Sequence, residues 1–127
     1  MGKEPMNTKT ILIVEDDPVS ANLYQDLLHP LGYKIVHVME GWLAMGIVTE
    51  AAPDLILMDI QLPDITGIKV TRMLKKTPQF KKTPIIAITA FAKEWSEKKC
   101  REAGCDDFIA KPISVPEFLK KVEKFIG

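Results

Sequence analysis

Several charge-handling residues stand directly after apolar runs. Glu15 and Asp16 follow Ile11-Leu12-Ile13-Val14, Asp59 follows Leu55-Ile56-Leu57-Met58, Thr89 follows Ile85-Ile86-Ala87-Ile88, and Lys111 follows Phe108-Ile109-Ala110. An unalternating apolar run is what a strand buried on both faces of a parallel sheet requires. A carboxylate at its end is costly in the interior but well placed at the sheet's carboxyl edge, where open α/β sheets bind ligands. If those strands are neighbours, Glu15, Asp16 and Asp59 converge and repel one another, and Lys111 offsets only one charge. Oxygen ligands that include one or two carboxylates suit Mg²⁺, which would relieve the repulsion.

A metal, a carboxylate, a hydroxyl and an ammonium together point to phosphoryl transfer. A carboxylate can attack as nucleophile and form an acyl phosphate. Attack on an anionic phosphoryl group is opposed by charge, so a cation must offset it. Asp59 is the expected nucleophile and phosphoacceptor, because its strand lies between the acids on one side and Thr89 and Lys111 on the other. Thr89 and Lys111 would hold the phosphoryl oxygens. Asp16 would bind the metal directly, Glu15 through water, and the backbone carbonyl of Gln61 would complete the shell. Taken singly, each residue has a plainer role: Asp59 a turn, Thr89 a strand end, Glu15 and Lys111 solvated charges, Asp17 a helix cap. Their recurrence after four different strands argues against coincidence.

The elements that must position these residues alternate along the chain, apolar run and amphipathic stretch in turn, as in a βα-repeated parallel sheet. The expected fold is α/β, a flavodoxin-like doubly wound five-stranded parallel sheet of strand order 2-1-3-4-5 with five helices. Thr10 to Val14 forms the first strand. Asp17 and Pro18 open the first helix, with Val19, Leu23 and Leu27 as its expected buried stripe. Lys34 to Met39, mixed in polarity, is expected to be an edge strand. The second helix, about Gly41 to Ala51, should bury Leu43 and Ile47 with Ala44 and Ala51. Asp64 is expected to cap the third helix, which carries Ile68, Val70, Met73 and Leu74. Pro84 to Thr89 forms the fourth strand. The fourth helix, about Lys93 to Ala103, has only Ala92, Cys100 and Ala103 as an inner face and should shift more easily than the others. Asp107 to Ala110 is the fifth strand. Ser114 and Glu117 form a capping box for a last helix expected to bury Val115, Leu119, Val122 and Ile126 beside Phe118 and Phe125.

The totals agree with one such domain. Of 127 residues, 46% are hydrophobic and 27% charged. Seventeen basic and seventeen acidic residues cancel, which gives no electrostatic reason to expect a nucleic-acid or membrane partner. No apolar run approaches a membrane span, and the first residues lack a signal peptide's apolar core and a myristoylation pattern, so a cytoplasmic location is expected. Residues 1–9 are read as an N-terminal extension, with Met6 a candidate natural start after an expression remnant, and residues 10–127 as the domain. Cys100 and Cys105 match neither a redox pair nor a zinc site and are expected to be reduced, partly buried thiols. His29 and His37 lack companions for a metal site and receive no role.

These motifs make the chain resemble a response-regulator receiver domain of two-component signalling, through Glu15-Asp16, Asp59, Thr89-Ala90 and Lys111-Pro112. Within that family it is similar to the DivK-type single-domain regulators of cell division and polarity, in Ile11 to Asp16, Leu55 to Pro63, Ile88 to Ala92 and Lys111 to Ser114. The resemblance implies that Asp59 takes its phosphoryl group from a phosphohistidine on a histidine kinase or phosphotransfer protein. It implies a cis Lys111-Pro112 peptide. It also implies a switch in which Thr89 moves inward and Phe108 follows, remodelling the face made by the fourth helix, fifth strand and fifth helix. A downstream protein would read that face, with Trp95 a candidate contact. The phosphodonor would dock around Pro18, Val19, Pro63, Pro112 and Ile113. Glu15 stands where many members carry Asp. Phe108 replaces a Tyr and so offers no hydroxyl. Gln61 and Phe91 occupy positions that tune the phosphoryl lifetime.

Two other readings fit less well. An aspartyl-nucleophile phosphatase needs an acid two residues after the nucleophile, where this chain has Gln61. A flavodoxin-like cofactor carrier needs a phosphate cradle where Glu15-Asp16-Asp17 would repel phosphate. A receiver excised from a hybrid histidine kinase, or one acting by binding alone, has the same residues.

Overall fold

The computed structural model describes residues 8–90 and 94–127, without the side chains of 94 and 95. Phe91, Ala92 and the Trp95 side chain therefore lie outside the described residues. Strands β1 (Thr10–Val14), β2 (Lys34–Val38), β3 (Leu55–Asp59), β4 (Ile85–Thr89) and β5 (Asp107–Ala110) form one sheet in the order β2-β1-β3-β4-β5. Every pairing is parallel. Helices α1 (Pro18–Leu28), α2 (Gly41–Ala51), α3 (Gly67–Lys76), α4 (Glu94–Ala103) and α5 (Val115–Ile126) make the connections. This is the expected flavodoxin-like architecture. It brings the carboxyl ends of β1, β3, β4 and β5 to one edge.

Side-chain alternation along the strands divides the core into two layers. Leu12, Val14, Ile56, Met58, Ile85 and Ala87 pack under Ala44, Val48, Val70, Leu74 and Cys100, beneath α2, α3 and α4. Ile11, Ile13, Leu55, Leu57, Ile86 and Ile88 pack against Tyr24, Leu28, Phe118 and Val122 of α1 and α5. Both strands beside the site, β3 and β4, are buried along their whole length. That rigid centre fixes where Asp59 and Thr89 emerge.

The helices depart from expectation in phase. In α1 the buried residues are Ala21, Tyr24 and Leu28, whereas Val19 is 76% exposed and Leu23 40%. Both sets have helical spacing, and the Tyr24 ring wins because it stacks on Phe118 at 5.3 Å between centroids. In α2, Gly41, Ala44 and Val48 are buried while Leu43 is 53% exposed and Ile47 only partly covered. A Cβ at Gly41 would collide with Ile65, so the small residues face the sheet because α2 lies close to the β3–α3 loop. In α5 Val115 is exposed, and Phe118 and Val122 carry the buried face.

The caps differ as well. Thr66, not Asp64, caps α3, its hydroxyl accepting from the Lys69 N–H at 3.2 Å. Asp64 reaches across to α2 and accepts from the N–H groups of Gly41 and Trp42, both at 2.9 Å. It satisfies two orphan donors of another helix. Ser114 caps α5 as expected.

Candidate functional site at the sheet's carboxyl edge

The end of β1 sets Glu15 in the interior, only 1% exposed, while Asp16 is partly exposed one residue later. Asp59, the last residue of β3, is 3% exposed. One carboxylate oxygen from each of Glu15, Asp16 and Asp59 lies within 4.8 Å of the others. Lys111 places Nζ 2.9 Å from Glu15 Oε1 and 3.8 Å from Asp59 Oδ2. Glu15 Oε2 accepts from the Asp17 N–H at 3.1 Å, and Asp59 Oδ1 from the Gln61 N–H at 3.0 Å. Thr89 is 1% exposed, with its hydroxyl 3.4 Å from Gln61 Oε1. The residues singled out after the four strands therefore do meet.

Their mutual effect is large. Burial, and then a hydrogen bond with Glu15 and the charge of Glu15, push the Asp59 carboxyl up to about 8, against the Gln61 N–H and Lys111, which pull it down. Burial and the nearby Glu15 charge also push the Tyr24 phenol above its ordinary range. Glu15 Oε1 is fully buried and faces Lys111 without a hydrogen bond of good geometry. An all-oxygen donor set with more negative charge than Lys111 can offset fits a hard divalent cation such as Mg²⁺.

Around the pocket, a cleft of about 380 Å³ runs past Ser20, Leu23, Tyr24, Lys111, Pro112 and Ile113. The Lys111-Pro112 peptide is cis, as the resemblance implied. Gly67 lies directly behind Asp59: a Cβ there would strike the Asp59 carbonyl and come within 2.9 Å of Ile60 Cα. Asp17 caps α1, accepting from the Val19 and Ser20 N–H groups. Phe108 is partly buried on β5 and packs against the core layer that contains Cys100 and Cys105, both buried free thiols.

The model of the response regulator receiver domain matches residues 11–123. The chain belongs to that family. It is 42% identical over 120 residues to the polar-differentiation response regulator DivK of Brucella ovis, covering 94% of this chain and 98% of that protein. DivK of Brucella anthropi is 41% identical, covering 94% and 97%. Among solved structures, the receiver domain of a Pseudomonas aeruginosa sensor histidine kinase, with a magnesium ion coordinated in its active-site cleft, has a TM-score of 0.87 at 34% identity and covers 95% and 99%. The receiver domain of a Syntrophus aciditrophicus signal transduction histidine kinase has a TM-score of 0.87 at 32% identity, covering 94% and 90%. This is thus a receiver domain similar to DivK.

Two polar residues have partners that the sequence did not reveal. Asp64 serves α2 rather than its own helix. His37 received no role, yet its Nε2 lies 2.8 Å from the Glu15 carbonyl oxygen. The signal for His37 is an ionisable side chain between two valines in β2.

Proposed function

We propose that this protein is a single-domain response regulator that accepts a phosphoryl group on Asp59 from a phosphohistidine of a histidine kinase or histidine phosphotransfer protein. The supporting observation is the Asp59 carboxylate, buried at the end of the central strand within reach of two further acids and one ammonium. Glu15, Asp16, Asp59 and the Gln61 carbonyl would hold Mg²⁺. When bound, the ion neutralises the cluster and lowers the electrostatic barrier to an incoming phosphoryl group. Asp59 Oδ2, the oxygen facing Lys111, is the attacking atom, and Oδ1 stays fixed by the Gln61 N–H. As the bond from Asp59 to phosphorus forms, the bond from phosphorus to the donor imidazole breaks, and that nitrogen leaves with the electron pair. Lys111 can then turn from Asp59 to a phosphoryl oxygen, and Thr89 can donate its hydroxyl to another. This is a signalling step rather than substrate turnover, since Gln61 cannot act as the acid a phosphatase would need.

Burial of Thr89 and the partial burial of Phe108 below it support a switch in which these two residues transmit phosphorylation to the α4-β5-α5 face. A downstream protein would read that face. The exposed Pro18, Val19, Pro63 and Pro112, with Ile113, offer the phosphodonor an apolar rim. The likeness to DivK supports a role in cell-cycle or polarity control in the cytoplasm. The similarity to receivers of histidine kinases supports a second reading, a receiver that works within a hybrid kinase. No described helix is long and apolar enough to cross a membrane.

Incubation with acetyl phosphate and Mg²⁺ should add one phosphoryl group by intact mass, and Asp59→Asn should add none. Full labelling of the variant would remove Asp59 from its assigned role. A pull-down comparing the native protein with Asp59→Asn would separate phosphorylation-dependent signalling from binding alone.

A further inference from the structure

Along β2, Val36 and Val38 pack into the layer beneath α2 and α3, while Ile35 packs on the side of α1 and α5. By alternation His37 lies on the face of Ile35. The register between β1 and β2 ends at Val14 and Val38, and the last backbone rung runs from the Glu15 N–H to the Val38 carbonyl at 3.0 Å. Just beyond it the chain turns into α2, whose N-cap is Glu40. The Glu15 carbonyl lies one step past that rung and meets the His37 ring, Nε2 to oxygen 2.8 Å. A carbonyl oxygen only accepts, so Nε2 carries the proton.

We infer that His37 is a positioning residue for the acid pair, its ring N–H continuing the β1–β2 ladder by one rung and clamping the Glu15–Asp16 peptide. That peptide is planar, so fixing its carbonyl direction also fixes the Asp16 N–H and the path to Asp16 Cα. Glu15 is then held at its N–H by Val38, at its carbonyl by His37, and at its carboxylate by Lys111 and the Asp17 N–H. Asp16 emerges from this fixed peptide, which holds its carboxylate near Asp59 before any ligand arrives. Groups that orient a metal's ligands in this way contribute to affinity without touching the ion. The inference rests on the reading of Glu15 and Asp16 as cation-holding residues.

The test compares the wild-type chain with His37→Leu, which removes the donor, and His37→Gln, which keeps an N–H. In metal-free protein, the Asp16 and Asp17 amide resonances should move in His37→Leu, and the wild type should show an Nε2-bound proton protected from exchange. Mg²⁺ titration should show His37→Leu weakened about tenfold, the low end for residues that orient metal ligands, with most of the loss recovered in His37→Gln. A merely structural role would lower the melting temperature of His37→Leu while leaving the ratio of Mg²⁺ affinities near one, and that result overturns the inference. So do unmoved Asp16 and Asp17 amides. A wild-type chain that takes up no Mg²⁺ would overturn the cation reading instead, and the amide shifts would still decide whether His37 clamps the peptide.

Discussion

The receiver pocket should destabilise the metal-free protein, and Asp59→Asn should make it more stable. The folded-state carboxyl of Asp59 titrates at about 8 rather than 3.8. Between those values the folded chain holds a proton that the unfolded chain has released, so stability falls as pH rises through this window and levels off above about 8. At about 1.4 kcal/mol per unit, the shift sets an upper bound near 6 kcal/mol. Solvent at the partly exposed Asp16 and Lys111 screens the pocket, so the usable figure is about 1–3 kcal/mol. For a domain of this size that corresponds to a rise in Tm of roughly 5–10 °C for the variant at pH 8. Asn keeps the acceptor for the Gln61 N–H and removes the charge, so little else should change. Thermal unfolding in chelator should show the wild type losing stability from pH 5 to 8 while Asp59→Asn loses much less, and Mg²⁺ should narrow the gap by stabilising the wild type. A wild-type curve flat across that range, or a variant no more stable at pH 8, would refute the account of the pocket's charge.

Other perturbations test neighbouring parts of the same argument. Lys111→Met should tighten Mg²⁺ binding severalfold in a calorimetric titration, because Glu15 and Asp59 lose their competing cation, while labelling by acetyl phosphate slows. Gly67→Ala should lower the urea midpoint by the equivalent of about 1–3 kcal/mol, since its Cβ meets backbone behind Asp59 and nothing flexible can yield. At Asp107, burial raises the carboxyl pKa, but the Phe108 N–H and Lys121 outweigh it and the net shift is downward. Its contribution is therefore present above the ordinary carboxylate value and lost as pH falls below about 4; an acid-denaturation series should show Asp107→Asn lacking that part of the loss.

The unbroken apolar runs of β1, β3 and β4 marked them as central strands, because a strand covered on both faces leaves no polar alternation to hide. Parallel connection through helices then brings every carboxyl end to one edge, which is why Glu15, Asp16, Asp59, Thr89 and Lys111 can be gathered from the sequence. Helix phase was not legible. Residues 19, 23 and 27 of α1 and residues 21, 24 and 28 both fall at helical spacing, and only the sheet and the Phe118 ring choose between the two sets. Asp64 read as the cap of its own helix, yet its carboxylate serves α2, a partner 23 residues away in the chain. His37 gained a partner only when β2 paired with β1 and carried its ring to the Glu15 carbonyl. Sequence alone determined which residues emerge at the site, because hydrophobic periodicity is local. Tertiary structure alone decided what holds them there, because hydrogen-bond partners and helix faces are set by neighbours distant in the chain.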